Sequence, residues 1–195
     1  MFLAVDSSLG TAVAVVNSEG VVVSEVASDD SRGHAENIGI LIQQALHDAH
    51  CQPTDITHVV MGVGPGPFTG LRVGMAAAEA FAVVRNTPLI PVVSHDAIAH
   101  KMGDVVVVTN ARRGEIAYSV YRGLDVKRRV VGPQLCTPAE LDEALGEFSG
   151  LPRIEARSVS AGSLGLVGRD YVEAGVQLDS AAPQYLRAPD VTVAP

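Results

Sequence analysis

Three stretches of this 195-residue sequence hold residues whose types and spacing could do chemistry. Asp6-Ser7-Ser8 follows the apolar run Phe2–Val5 and sets a carboxylate beside two hydroxyls at a strand end. Gly64-Pro65-Gly66-Pro67-Phe68-Thr69-Gly70 lies between the apolar run Val59–Val63 and a helical stretch. The backbone N–H groups of such a loop can cradle phosphate. Asn110 closes a further apolar run, Val105–Thr109. A carboxylate flanked by hydroxyls at a turn can hold hydrated Mg²⁺ and orient a water. Asn110 is neutral and cannot act as a general base. No lysine stands beside either turn, and the glycine loop lacks the Gly-Lys-Ser of a P-loop. Asp6, Ser7, Ser8, Gly66 and Asn110 are therefore candidates for a vestigial nucleotide site at most. No cofactor is expected beyond a weak or partner-assisted ATP or ADP contact.

Two histidines follow the next apolar run, in Ser94-His95-Asp96-Ala97-Ile98-Ala99-His100. Two ligands four apart share a helix face and can bind one metal. Here the spacing is five, which turns the second ring about 140° away from the first, so no metal site is expected. These rings read as surface or capping groups. A serine hydrolase would need a base beside Ser7, Ser8 or Ser94, and the pattern supplies no nucleophile elbow. A metal- or nucleotide-dependent hydrolase, glycoprotease-like or ATPase, is the alternative reading; no catalytic residue is assigned.

The elements that must position these residues alternate in a regular order. Strands are expected at Phe2–Val5, Thr11–Val16 and Val21–Val26, then a helix over 34–50, a strand at 59–63, a helix over 71–85 capped by Thr69, a strand at 89–93 and a short helix over 94–102 capped by Ser94. The second half restarts with strands at 105–109, 115–121 and 126–131. A helix to about residue 148 follows, opened by the capping box of Thr137 and Glu140, then a strand at 154–159 and a helix over 164–174. The tail from Pro183 is irregular. Asp6 and Asn110, 104 residues apart, thus take equivalent places in two β-β-β-α units, which reads as an internal structural repeat. The division is residues 1–103 and 104–195, the second unit reduced and carrying the tail.

The helix over 71–85 is apolar on most of its circumference, with only Arg72 and Glu79 charged between Leu71 and Val84. A helix of that kind must be covered on more than one side. The helices over 34–50 and 71–85 are accordingly expected to form a partner interface through Ile38, Leu41, Ile42, Ala45, Leu71, Met75 and Ala78, with His34, Arg72 and Glu79 belonging to it. A glutamate at Met75 or Leu41 should then weaken partner binding and leave the monomer folded.

The sequence is 47% hydrophobic with a net charge of −8. It has ample apolar content for a core, and its acidic balance is unsuited to solitary nucleic-acid binding. Cys51 and Cys136 show no motif spacing and read as reduced thiols of a cytoplasmic protein. No leader peptide or membrane span is expected.

The residues resemble one family. Gly64-Pro65-Gly66-Pro67-Phe68-Thr69-Gly70-Leu71-Arg72-Val73-Gly74 is similar to the GPGSFTGLRIG motif of the TsaB (YeaZ) family. Phe2 to Ser8 resembles its first strand and DTS turn, Arg32 to Asn37 the start of its first helix, Asn110 to Glu115 its DAR motif, and Tyr185-Leu186-Arg187 its YLR. Pro67 stands for the usual serine and Asn110 for the usual aspartate. The resemblance implies an α/β fold of the actin/Hsp70-like (ASKHA) type. It also implies a non-catalytic paralogue of TsaD, a scaffold in making N6-threonylcarbamoyladenosine in tRNAs that read ANN codons. The implied partners are TsaD, as a heterodimer, and TsaE, with a homodimer when alone, tRNA met only through the complex, and no membrane.

Overall fold

A computed structural model describes residues 1–28, 34–178 and 180–187. Among these residues, nine strands form two sheets. The first holds β1 (Phe2–Asp6), β2 (Thr11–Val16), β3 (Val22–Ser28), β4 (His58–Gly62) and β5 (Leu89–Val92), in the order β3-β2-β1-β4-β5. The second holds β6 (Val105–Asn110), β7 (Ile116–Tyr121), β8 (Arg129–Cys136) and β9 (Arg153–Ala156), in the order β8-β7-β6-β9. In each sheet the first strand pairs antiparallel with the second and parallel with the strand after the helix. The repeat read from element order is thus a repeat of topology, and the fold is of the actin-like ASKHA type.

Alternating side chains of β1 divide between two cores, as strand geometry requires. Leu3 and Val5 face α1 (His34–Asp48) and α2 (Phe68–Arg85), while Phe2 and Ala4 face α5 (Ala161–Glu173). Helix α5 follows the second sheet in sequence but packs on the first. The second sheet is covered by α4 (Leu141–Leu145) on one face, and its other face meets Ala99, just after α3 (Ser94–Ile98).

Several boundaries differ from those expected: α3 ends at Ile98 instead of 102, α4 starts at Leu141 beyond the Thr137–Glu140 turn, and β9 covers 153–156 instead of 154–159. Helix α2 starts at Phe68 with Pro67 as its cap residue, so Thr69 lies inside the first turn. Ser94 lies inside α3, behind Val93, because its hydroxyl is used elsewhere. Strand β8 covers 129–136 instead of 126–131. It tolerates Gly132-Pro133 because it is a sheet edge, as does β5 with Pro91.

Candidate functional site

Strand β1 is buried throughout and delivers Asp6 to the first turn, 2% exposed. Its Oδ1 accepts hydrogen bonds from the Ser8 amide at 2.8 Å and the Ser8 hydroxyl at 2.6 Å. Its Oδ2 accepts from the Ser94 hydroxyl at 2.5 Å. Ser94 in turn accepts from the Gly64 amide at 3.2 Å, and its own amide donates to the Gly64 carbonyl at 2.7 Å. Ser7 donates its hydroxyl to the Gly70 carbonyl at 2.8 Å and accepts from the Gly74 amide at 3.1 Å. The Asp-Ser-Ser turn is therefore a clasp on the glycine loop and on the first turns of α2.

Three glycines make room for this clasp. A Cβ at Gly62 would stand 2.0 Å from Asp6 Oδ2, and one at Gly74 2.3 Å from Ser7 Oγ. Gly66 lies against Ser8, whose Cα a Cβ would meet at 2.7 Å. The loop is filled by the chain's own turn. Burial raises the Asp6 carboxyl above its ordinary range, against the hydrogen bonds from Ser8 and Ser94, which lower it. The sign follows. Asp6 costs stability above its raised folded value, and the cost disappears as pH falls below the unfolded value near 3.8. Asp6→Asn keeps an acceptor for Ser8 and carries no charge to desolvate. Its melting temperature should equal or exceed the parent's at neutral pH, and the gap should close by about pH 4; parallel thermal melts across pH check this.

Asn110 ends β6 as Asp6 ends β1, and its Oδ1 accepts from the Arg112 amide at 2.7 Å. Both halves thus close their first strand with the same side-chain turn. Asn110 is exposed, whereas Asp6 is buried.

The sequence reading missed a second buried cluster. His95 is 1% exposed, neither a surface nor a capping group. Its Nδ1 is 2.9 Å from Ser119 Oγ and its Nε2 2.9 Å from Thr109 Oγ1, both on the second sheet. Desolvation, then the Arg129 charge, lower its pKa to about 3, so the ring is neutral at physiological pH. Asp96 accepts from Tyr121 at 2.7 Å and Tyr171 at 3.1 Å, and Arg129 Nε stands 3.0 Å away. Together the two residues pin α3 between the sheets. The available signal was a hydroxyl in each of two apolar strands, Thr109 and Ser119, with a buried strand just ahead of His95. His100 is engaged separately, 3.7 Å from Asp170. A cleft of about 450 Å³ opens over Asp96, His100 and Tyr171. Asp96, Asp125 and Asp170 line it together with Lys101, Lys127, Arg128 and Arg129, so its walls carry both charge signs.

The expected interface residues need correction. Ile38, Leu41, Ala45, Leu71, Met75 and Ala78 are all buried, between 0% and 8% exposed, inside the chain. They satisfy β1 and β2 and each other, and such side chains present no surface to a partner. Ile42 is half-buried against the same core. His34 opens α1, and its side chain lies outside the described residues. Arg72 and Glu79 are exposed on α2. The outward face of the two helices instead comprises Gly39, Ile40 and Gln43 on α1, with Ala76, Ala80 and Val83 on α2. Ile40 is 61% exposed and Val83 80%.

The family model described as "TsaD: tRNA N6-adenosine threonylcarbamoyltransferase" matches residues 10–188. The chain belongs to this family. An uncharacterized protein of Mycobacterium tuberculosis is 41% identical over 144 residues, 72% of this chain and 66% of that protein. The chain thus spans just under two thirds of the length of that relative. The tRNA threonylcarbamoyladenosine biosynthesis protein TsaB of Bacillus subtilis is 27% identical over 124 residues, 62% of this chain and 54% of that one. Among solved structures, YeaZ from Pseudomonas aeruginosa superposes with a TM-score of 0.71 at 20% identity, covering 95% of this chain and 99% of that chain. The resemblance to TsaB (YeaZ) drawn from the glycine-loop motif holds, and so does the fold it implied. Among the described residues, no helix is long and apolar enough to cross a membrane.

Proposed function

We propose that this TsaD-family chain is a TsaB-type, non-catalytic scaffold subunit in the synthesis of N6-threonylcarbamoyladenosine in tRNA. It pairs with a TsaD-type transferase in the cytoplasm, and the pair engages a TsaE-type ATPase; tRNA meets the chain only within the complex. The observation that carries the non-catalytic reading is the occupation of Asp6. Both of its oxygens are bound by the chain's own hydroxyls and amide, and the carboxylate is 2% exposed. A carboxylate held so, with three of its roughly four acceptor sites taken, is poorly placed to orient a water or a hydrated metal.

The docking surface in this reading is the outward face of α1 and α2. Two helices whose inner sides are consumed by the sheet still present Ile40, Ala76, Ala80 and Val83 to solvent, and small residues allow a partner helix to approach closely. When the chain is alone the same face supports a two-fold homodimer. Sedimentation of the chain with the TsaD-type protein of its source tests the pairing. A one-to-one heterodimer is expected at micromolar concentrations. Two separate boundaries, or ATP turnover by the isolated chain that Asp6→Ala abolishes, would refute the scaffold reading.

A further inference from the structure

Arg72 is an exposed residue of α2 whose orientation is fixed by a separate segment of the chain. Its guanidinium lies 4.0 Å over the Phe68 ring. Its Nε donates to the Tyr185 hydroxyl at 2.5 Å. The Tyr185 ring stacks on Phe68 at 4.8 Å between centroids, and Tyr185 also packs against the first core. The segment bearing Tyr185 is tied at both ends. The Gln184 amide donates to the Val63 carbonyl at 2.8 Å, and Arg187 pairs with Glu115 and donates to the Arg112 carbonyl. Among the described residues, the terminal nitrogens of Arg72 carry no hydrogen bond.

A guanidinium immobilised in this way has already lost most of its rotamer freedom, so little more is lost when it binds. Its free edge is a planar fork, which fits a carboxylate through two parallel hydrogen bonds. Glu79 lies on the same exposed stripe seven residues on, about 10 Å along the helix. The face is thus polarised, positive at the glycine-loop end and negative two turns later, with Ala76 between.

We propose that Arg72, braced by Phe68 and Tyr185, is the anchor that captures an aspartate or glutamate of the TsaD-type partner, and that Glu79 meets a cation beside it. The pair sets the direction in which the partner lies on α2. This deepens the docking reading given above and rests on it.

The test measures affinity for the TsaD-type protein by calorimetry at low and high salt. The parent is compared with Arg72→Ala, Arg72→Lys and Tyr185→Phe, each checked by thermal melt. Arg72→Ala should raise Kd tenfold or more, roughly the loss of a charged hot-spot contact. Arg72→Lys should stay nearer to Arg72→Ala than to the parent, because an ammonium makes no fork. Tyr185→Phe removes only the hydroxyl that orients Nε and should raise Kd about threefold. The Arg72→Ala penalty should shrink at high salt. If the parent binds and Arg72→Ala is within about twofold of it, as for an idle surface pair, the anchor is wrong while the scaffold reading stands. If the substitutions weaken only self-association, Arg72 serves a second copy and the proposal falls. If the parent does not bind, the anchor and the docking reading fall together.

Discussion

Gly62→Ala should unfold this protein more readily than any other single methyl addition to its first sheet. The new Cβ would stand 2.0 Å from Asp6 Oδ2, so either the carboxylate leaves its hydrogen bonds or the strands part. Gly62 and Asp6 end neighbouring strands that pair in parallel, so neither backbone can withdraw without breaking the sheet. Overpacking of this kind costs about 3 kcal/mol. Expelling the carboxylate from Ser8 and Ser94 adds about 1–3 kcal/mol for the orphaned groups. For a domain of this size the sum should lower Tm by roughly 10 °C. Differential scanning calorimetry measures it. Asp6→Ala alone should also destabilise, and the double variant should lose clearly less than the sum, because the clash and the carboxylate share one space. Additive losses would show that the clasp is not the unit described.

The second large effect separates the two sides of α2. Met75→Glu places a charge at a side chain 6% exposed in the first core. An uncompensated buried charge of that kind costs several kcal/mol, so the variant should fail to fold. A binding defect measured on it would report unfolding. Ala76→Glu is one residue further round, on the exposed face. It should leave Tm within about 2 °C of the parent, as surface changes do. It should weaken binding to the TsaD-type protein at least a hundredfold, roughly the cost of desolvating a charge at an interface centre. Calorimetry and thermal melts on both variants check the contrast.

That contrast also marks how far the sequence was readable. The surplus of apolar residues on α2 was visible, because only Arg72 and Glu79 interrupt it. What covers each side was not visible. Helical period fixes which residues share a face, but the choice of inner face depends on the direction from which the sheet approaches. Leu71, Met75 and Ala78 turned inward with Ala82, leaving Ala76, Ala80 and Val83 outside. The element order and its repeat were legible because strands and turns alternate with clear punctuation, and the topology of each sheet follows from that order. The docking of α5 onto the first sheet was not, since it is a packing of distant segments whose local pattern is that of any amphipathic helix. Asp6 was legible as a turn carboxylate. Its use as a clasp required knowing that Gly62, Gly74 and Ser94 converge on one turn from places up to 88 residues away.

The His95–Asp96 pair shows the same limit from the other side. The ring's partners lie on the second sheet, 14 and 24 residues away, and its spacing to His100 gave no hint of them. A polar residue inside an apolar strand was the only local trace of them.

The most direct test of the scaffold account is the N6-threonylcarbamoyladenosine content of tRNA in cells of the source organism that lack the chromosomal copy. These cells would carry the parent, Asp6→Asn or Ala76→Glu at matched protein levels, with nucleosides quantified by mass spectrometry. The account predicts parental content with Asp6→Asn and near-complete loss with Ala76→Glu. Loss with Asp6→Asn alongside full content with Ala76→Glu would place the function in the turn carboxylate and contradict it.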